Sequence, residues 1–296
     1  TLANKTISDA PFDLTATGGA SGNAVTFSSS NPAVATISGN TVTIVGAGTT
    51  DITANQAGNT NYEAATAVVQ TLTVTKQLQT ITFNPLPAKN STDPSFTLSA
   101  TGGASGNTVT FTSSNTNVAT ISGNTVTIVG GGTTDIRANQ AGNSNYEAAT
   151  PVIQTLTVNK VSQTITFNAL TAKTMGDAAF TLSATGGASG NTVTYTSSNT
   201  NVATISGNTV TIVGAGTTDI TANQVGNNIY LDAAAVIQSL TVNKGTQSIT
   251  FDALAAKKYS DVSMTLGATA SSGLAVSYSS SDLNIATISG NTVTFV

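Results

Sequence analysis

The chain has 296 residues, a net charge of −4, and only 7% charged residues. It contains no Cys, His or Trp, which excludes disulfides, thiolate metal sites and imidazole acid–base chemistry. It has no basic run to suit nucleic acid and no apolar stretch long enough to cross a bilayer, and its opening Thr1-Leu2-Ala3-Asn4 does not read as a secretory leader.

The stretch Ala-Thr-Ile-Ser-Gly-Asn-Thr-Val-Thr-Ile-Val-Gly starts at Ala35, Ala119 and Ala203, and a copy ending Phe295-Val296 starts at Ala286. The spacings are 84, 84 and 83 residues, so the chain is an array of like units. Each copy predicts a β-hairpin. The two-residue loops are Gly39-Asn40, Gly123-Asn124, Gly207-Asn208 and Gly290-Asn291, of a type that supplies positive φ. In the second copy Ile121 then faces Val126 and Ala119 faces Ile128. The apolar residues share one face and the hydroxyls share the other. A slip of one residue would turn every apolar group to water, so the register is well specified.

Residues 1–76 form a first unit without the Gln-Thr-Ile-Thr-Phe segment that opens the later ones. Residues 77–160 form a complete unit with seven expected strands. Residues 79–83 come first, with Ile81 and Phe83 inward. A loop through Lys89 and Asp93 precedes residues 95–101, where Phe96, Leu98 and Ala100 point inward. Gly102, Gly103, Gly106 and Asn107 turn the chain into residues 108–113. The hairpin follows, then residues 133–140 with Ile136 and Ala138 inward. Residues 152–159 close the unit on Leu156 and Val158. Turn signals at short intervals and no helical period predict an all-β, immunoglobulin-like β-sandwich, with antiparallel pairing and Greek-key returns.

Residues 161–244 repeat the unit. Residues 245–296 begin a fourth and stop short of its last two strands. Both ends fall inside a unit, as expected of a window on a longer array. The joints are short, so tandem sandwiches of about 84 residues are expected to form an elongated, semi-rigid rod. Each unit should advance on the order of 35–45 Å.

The unit resembles the tandem bacterial immunoglobulin-like repeats of large surface and adhesin proteins. The residues that carry the resemblance are 163–167 (Gln-Thr-Ile-Thr-Phe), 180–184 (Phe-Thr-Leu-Ser-Ala), 195–199, 202–214, 217–222 and 238–244. The resemblance implies an extracellular, structural role at a bacterial surface. It transfers no catalytic residue.

Several recurrent residues invite sharper readings. Lys5/Asp9, Lys89/Asp93, Lys173/Asp177 and Lys257/Asp261 recur at one spacing. An intradomain isopeptide bond would need a buried Lys, whereas a Pro, Gly and Ser context favours a solvated loop with an Asp turn. Asp51, Asp135 and Asp219 are candidate calcium ligands. Their neighbourhood is poor in acids for an ion that takes six to eight oxygens, so a turn role is preferred. Tyr62, Tyr146 and Tyr230 precede the last strand. Sugar stacking is weighed against a buried ring whose hydroxyl ties down the loop, and the buried ring is preferred.

Thr-x-Thr pairs could order water, but Thr is also a good outward strand residue, and the period of 84 suits no ice-binding solenoid. Asn4-Lys-Thr6 and Asn90-Ser-Thr92 match the glycosylation pattern at non-equivalent positions, as chance matches do. Nothing reads as a nucleophile–base pair, so no enzyme is expected. The expected partners are neighbouring repeats of the same chain. Like chains in a filament joined by strand complementation, or a host glycan surface, stand as the alternatives.

Overall fold

A computed structural model describes residues 1–296. Every strand pairing in it lies within one sequence block. The block at residues 77–160 shows why the sequence folds this way. Its hairpin pairs Ala119–Ser122 with Thr125–Ile128, with Ile121 opposite Val126 and Ala119 opposite Ile128. The other three copies keep the same register. Gly39, Gly123, Gly207 and Gly290 take φ of 62°, 61°, 61° and 62°, while no non-glycine residue has positive φ. Only the first loop residue is left-handed, which suits a type II′ turn rather than a type I′ turn.

The hairpin joins Phe96–Thr97 in a three-stranded sheet. The facing sheet has four strands in the order Thr110–Ser113, Gly132–Asn139, Val152–Asn159, Lys89–Asn90. Between them lies one apolar core. Leu98, Ala119 and Val126 come from the first sheet, and Ile136, Ala138, Leu156 and Val158 from the second. Equivalent cores form around Leu14, Val42 and Leu72 and around Leu182, Val210 and Leu240. Alternation is the cause: each long strand turns every second residue inward. The chain is therefore an all-β tandem of immunoglobulin-like sandwiches with Greek-key order.

Two expectations need correction. Residues 79–83 do not form a long opening strand; the block makes only the bridge Thr82–Thr101 there, although Ile81 and Phe83 are buried. The equivalent pairing in the third block is Thr166–Phe167 with Ala184–Thr185. The reason is a change of partner. The second strand pairs with the hairpin at residues 96 and 97 and reaches the opening segment only at Thr101. The pairing is also not wholly antiparallel. Lys89–Asn90 runs parallel to the closing strand, as do Lys5–Thr6 and Lys173–Thr174 in their blocks.

The chain resolves into two compact units. One is Thr1–Gln163 with Val225–Asp232, and the other is Thr164–Gln224 with Ala233–Val296. Residues 225–232 belong to the third block in sequence yet pack with the first unit.

Candidate functional site

Three of the recurrent Lys/Asp pairs, Lys5/Asp9, Lys89/Asp93 and Lys173/Asp177, sit on and just after a parallel edge strand, while Lys257/Asp261 lies in a turn outside any strand. Thr6 and Asn90 donate their backbone N–H groups to Asp9 and Asp93 at 3.0 Å, and Thr174 does so to Asp177 at 2.9 Å. Lys258 does the same to Asp261 at 2.8 Å. The Thr6 backbone bond first, and its hydroxyl second, hold the Asp9 carboxyl below the ordinary carboxylate range. The lysines meet rings instead of carboxamides: Lys5, Lys89 and Lys173 place Nζ 4.7, 4.9 and 4.8 Å above Phe12, Phe96 and Phe180. This is a turn capped by a carboxylate beside a cation–π contact. It gives Lys no carboxamide to attack.

The calcium candidates are engaged across the sheet. Asp51 and Asp135 each accept a bond from the hydroxyl of Thr71 and Thr155 at 2.7 Å. Asp219 lies opposite Ser239. No group of three or more acidic, His or Cys side chains is gathered anywhere.

The tyrosine reading is corrected. Tyr62 is 52% exposed, and Tyr146 and Tyr230 are half-buried. The loop is closed by asparagine. Asn143 Oδ1 accepts the N–H of Asn145 and Tyr146 at 2.8 and 2.9 Å, and the Asn143 N–H donates to the Tyr146 carbonyl at 3.0 Å. Asn59 and Asn227 hold their loops in the same way. The recurrence of tyrosine before the last strand points to the ring, but the short amide of the asparagine three residues earlier is what reaches the backbone.

Two further devices were missed. Thr134, 2% exposed, receives the Asn115 N–H at 2.9 Å and contacts the hydroxyls of Ser113 and Ser114 at 2.7 and 3.3 Å. Thr50 and Thr218 do the same. Gln140 pins the glycine turn: its Oε1 accepts the Gly103 N–H at 2.7 Å and its Nε2 donates to the Asn107 carbonyl at 2.7 Å. Parity was the available signal, because 134, 136, 138 and 140 fall on one face of the strand. In the third block Tyr195 replaces Phe111, and burial raises its phenol above the usual value.

What the structure does assemble is a joint. The closing strand of the first block ends at Thr75. Gln77 then bonds through both backbone groups, its N–H to the Asn145 carbonyl and its carbonyl to the Glu147 N–H, each at 2.9 Å. The loop holding Asn145 reaches back to the first block, where the Ala47 N–H donates to Asn145 Oδ1 at 3.3 Å. Gln79 anchors the same loop through the Glu147 carbonyl at 2.8 Å and takes the Ser105 N–H at 2.9 Å. The site is thus a polar clasp between consecutive sandwiches.

No protein-family model matches the chain, and no curated protein matches it. Among solved structures, the chain is similar to Drosophila N-cadherin EC1-4, with 11% identity over 99% of this chain and 89% of that one and a TM-score of 0.25. It is similar to human CDH23 EC21-23, with 12% identity over 80% and 96% and a TM-score of 0.30. It is also similar to the surface layer protein SbsC, domains 1-6, with 19% identity over 98% of this chain and 47% of that one and a TM-score of 0.26. Likeness at this level adds nothing to the sheet order given above, which rests on its own strand pairings.

Proposed function

We propose that this chain is a structural spacer: a stalk segment of a long extracellular protein or filament at a bacterial surface, giving reach and stiffness. The blocks at residues 1–76, 77–160, 161–244 and 245–296 are its domains. The observation that carries this reading is the joint at Gln77. A linker residue bonded at both its N–H and its carbonyl has little freedom to swing. The resemblance of the unit to bacterial immunoglobulin-like surface repeats supports the location. Low charge keeps long-range repulsion between blocks small, so spacing should respond weakly to salt.

Solution scattering on the whole chain tests the reading. The expected maximum dimension is on the order of 140 Å, from about 40 Å per complete sandwich. It should be unchanged between low and high salt and after chelation of divalent ions. A particle collapsed to about half that length would overturn the spacer reading.

A further inference from the structure

We propose that the loop Val225–Asp232 is a docking segment matched to the second block, and that four paired positions set how firmly consecutive blocks are clasped. The inference rests on the spacer reading and says which joint is tight and why.

The joint at Val161 repeats the shared bonds of the joint at Gln77. The Val161 N–H donates to the Ile229 carbonyl at 3.0 Å, and the Leu231 N–H donates to the Val161 carbonyl at 2.9 Å. It then adds three more. The Gly131 N–H reaches the Asn228 carbonyl at 2.7 Å. The Asn228 side-chain amide donates to the Val129 carbonyl at 3.1 Å. The Ser91 hydroxyl, on a residue only 6% exposed, donates to the Ile229 carbonyl at 2.6 Å. Two successive loop carbonyls, those of Asn228 and Ile229, are thereby held by groups of the second block.

The equivalent positions of the first joint carry Ile7, Ala47, Ser144 and Asn145 in place of Ser91, Gly131, Asn228 and Ile229. Ile7 has no hydroxyl to offer. Ala47 meets only the side-chain oxygen of Asn145, at 3.3 Å. The glycine is the discriminating residue. A Cβ on Gly131 would collide with Lys160 Cγ and press on the Lys160 backbone N at 3.2 Å, while the Asn228 carbonyl oxygen at 3.5 Å would be in ordinary contact, so the added methyl acts on the clasp by displacing Lys160 at the joint. Its φ is not in the left-handed region, so glycine is there for clearance and not for backbone shape. Ala47 and Ala215 occupy the same place in the first and third blocks. The fold therefore accepts alanine, and Gly131→Ala alters the clasp without unfolding the sandwich. By the same rule the third block, with Met175 and Ala215, presents neither the hydroxyl nor the clearance.

Amide hydrogen exchange on the full chain tests this. The amides of Gly131, Val161 and Leu231 should exchange on the order of tenfold more slowly than those of Ala47, Gln77 and Glu147, as extra bonds of ordinary strength imply. Gly131→Ala and Ser91→Ala should each bring Val161 and Leu231 toward the faster values while the core amide of Leu156 stays unchanged. The set Ile7→Ser, Ala47→Gly, Ser144→Asn and Asn145→Ile should slow Gln77 and Glu147 in return. Equal exchange at the two joints, or joints indifferent to these substitutions, would overturn the proposal. Such a result would leave the scattering dimension intact, so failure of the matched clasp is distinguishable from failure of the spacer reading.

Discussion

Residues 77–160 and 245–296 open on closely matching motifs, Gln-Thr-Ile-Thr-Phe and Gln-Ser-Ile-Thr-Phe, and meet different ends. In the second block Ile81 and Phe83 are 7% and 5% exposed, and Phe83 packs on Phe111 with ring centroids 5.4 Å apart. In the fourth block Ile249 and Phe251 are 61% and 48% exposed. The fourth block has its hairpin in the correct register, with Ile288 opposite Val293, and it buries Leu266. It has no counterpart to the strands Gly132–Asn139 and Val152–Asn159 within the 296 residues. The hairpin is a local object, set by its own turn. The core is not, because it needs two strands that arrive later in the chain.

That contrast can be broken at three depths. Leu98 and Leu266 are equally buried at 4%, but only Leu98 is covered by a full second sheet. Leu98→Ala should destabilise its block by about 2–5 kcal/mol, and Leu266→Ala by less than half as much. Site-resolved exchange under rising urea reads both, and equal losses would mean the later strands contribute little to the site. Next, Thr134→Val should cost about 1–3 kcal/mol, since it strips the Asn115 N–H of its buried acceptor. Ser281→Ala, on the corresponding turn of the fourth block, should shift the same measurement negligibly. The smallest effect should be the same in both regions. Gly123→Ala and Gly290→Ala each force a left-handed residue at φ of 61° or 62° and should each cost about 1 kcal/mol. A clear difference between these two would show that the hairpin is not self-sufficient.

The same division explains what could be read from the sequence. The hairpin register follows from a glycine, an asparagine and the alternation on either side, so it was visible without coordinates. Strand residues such as Ile136 and Leu156 were equally legible, because period and chemistry agree there. The parallel edge at Lys89–Asn90 was not legible, since two residues carry no period. The joint was hidden for another reason. Asn145, Asn228 and Ile229 bond to a neighbouring block through backbone carbonyls or a short amide, and nothing in the identity of a residue marks its carbonyl as engaged. Gly131 was a visible trace, a glycine where the first and third blocks have Ala47 and Ala215. Thr134 and Gln140 lie on the inward parity, but a polar side chain at a strand position does not by itself announce that it is buried.

Three hairpins on this chain are identical over both strands, and the fourth differs only where Phe295 replaces Ile. A half from one copy could therefore pair with the wrong half of another, and such exchange is a common way for tandem arrays to tangle. The two-residue turn removes the opportunity. A hairpin closes in about 1–10 μs, while a rival partner one period away must first close a loop of 84 residues. Self-similar repeats can thus be threaded along one polypeptide without cross-pairing, because each copy completes its own pair before a distant twin can compete.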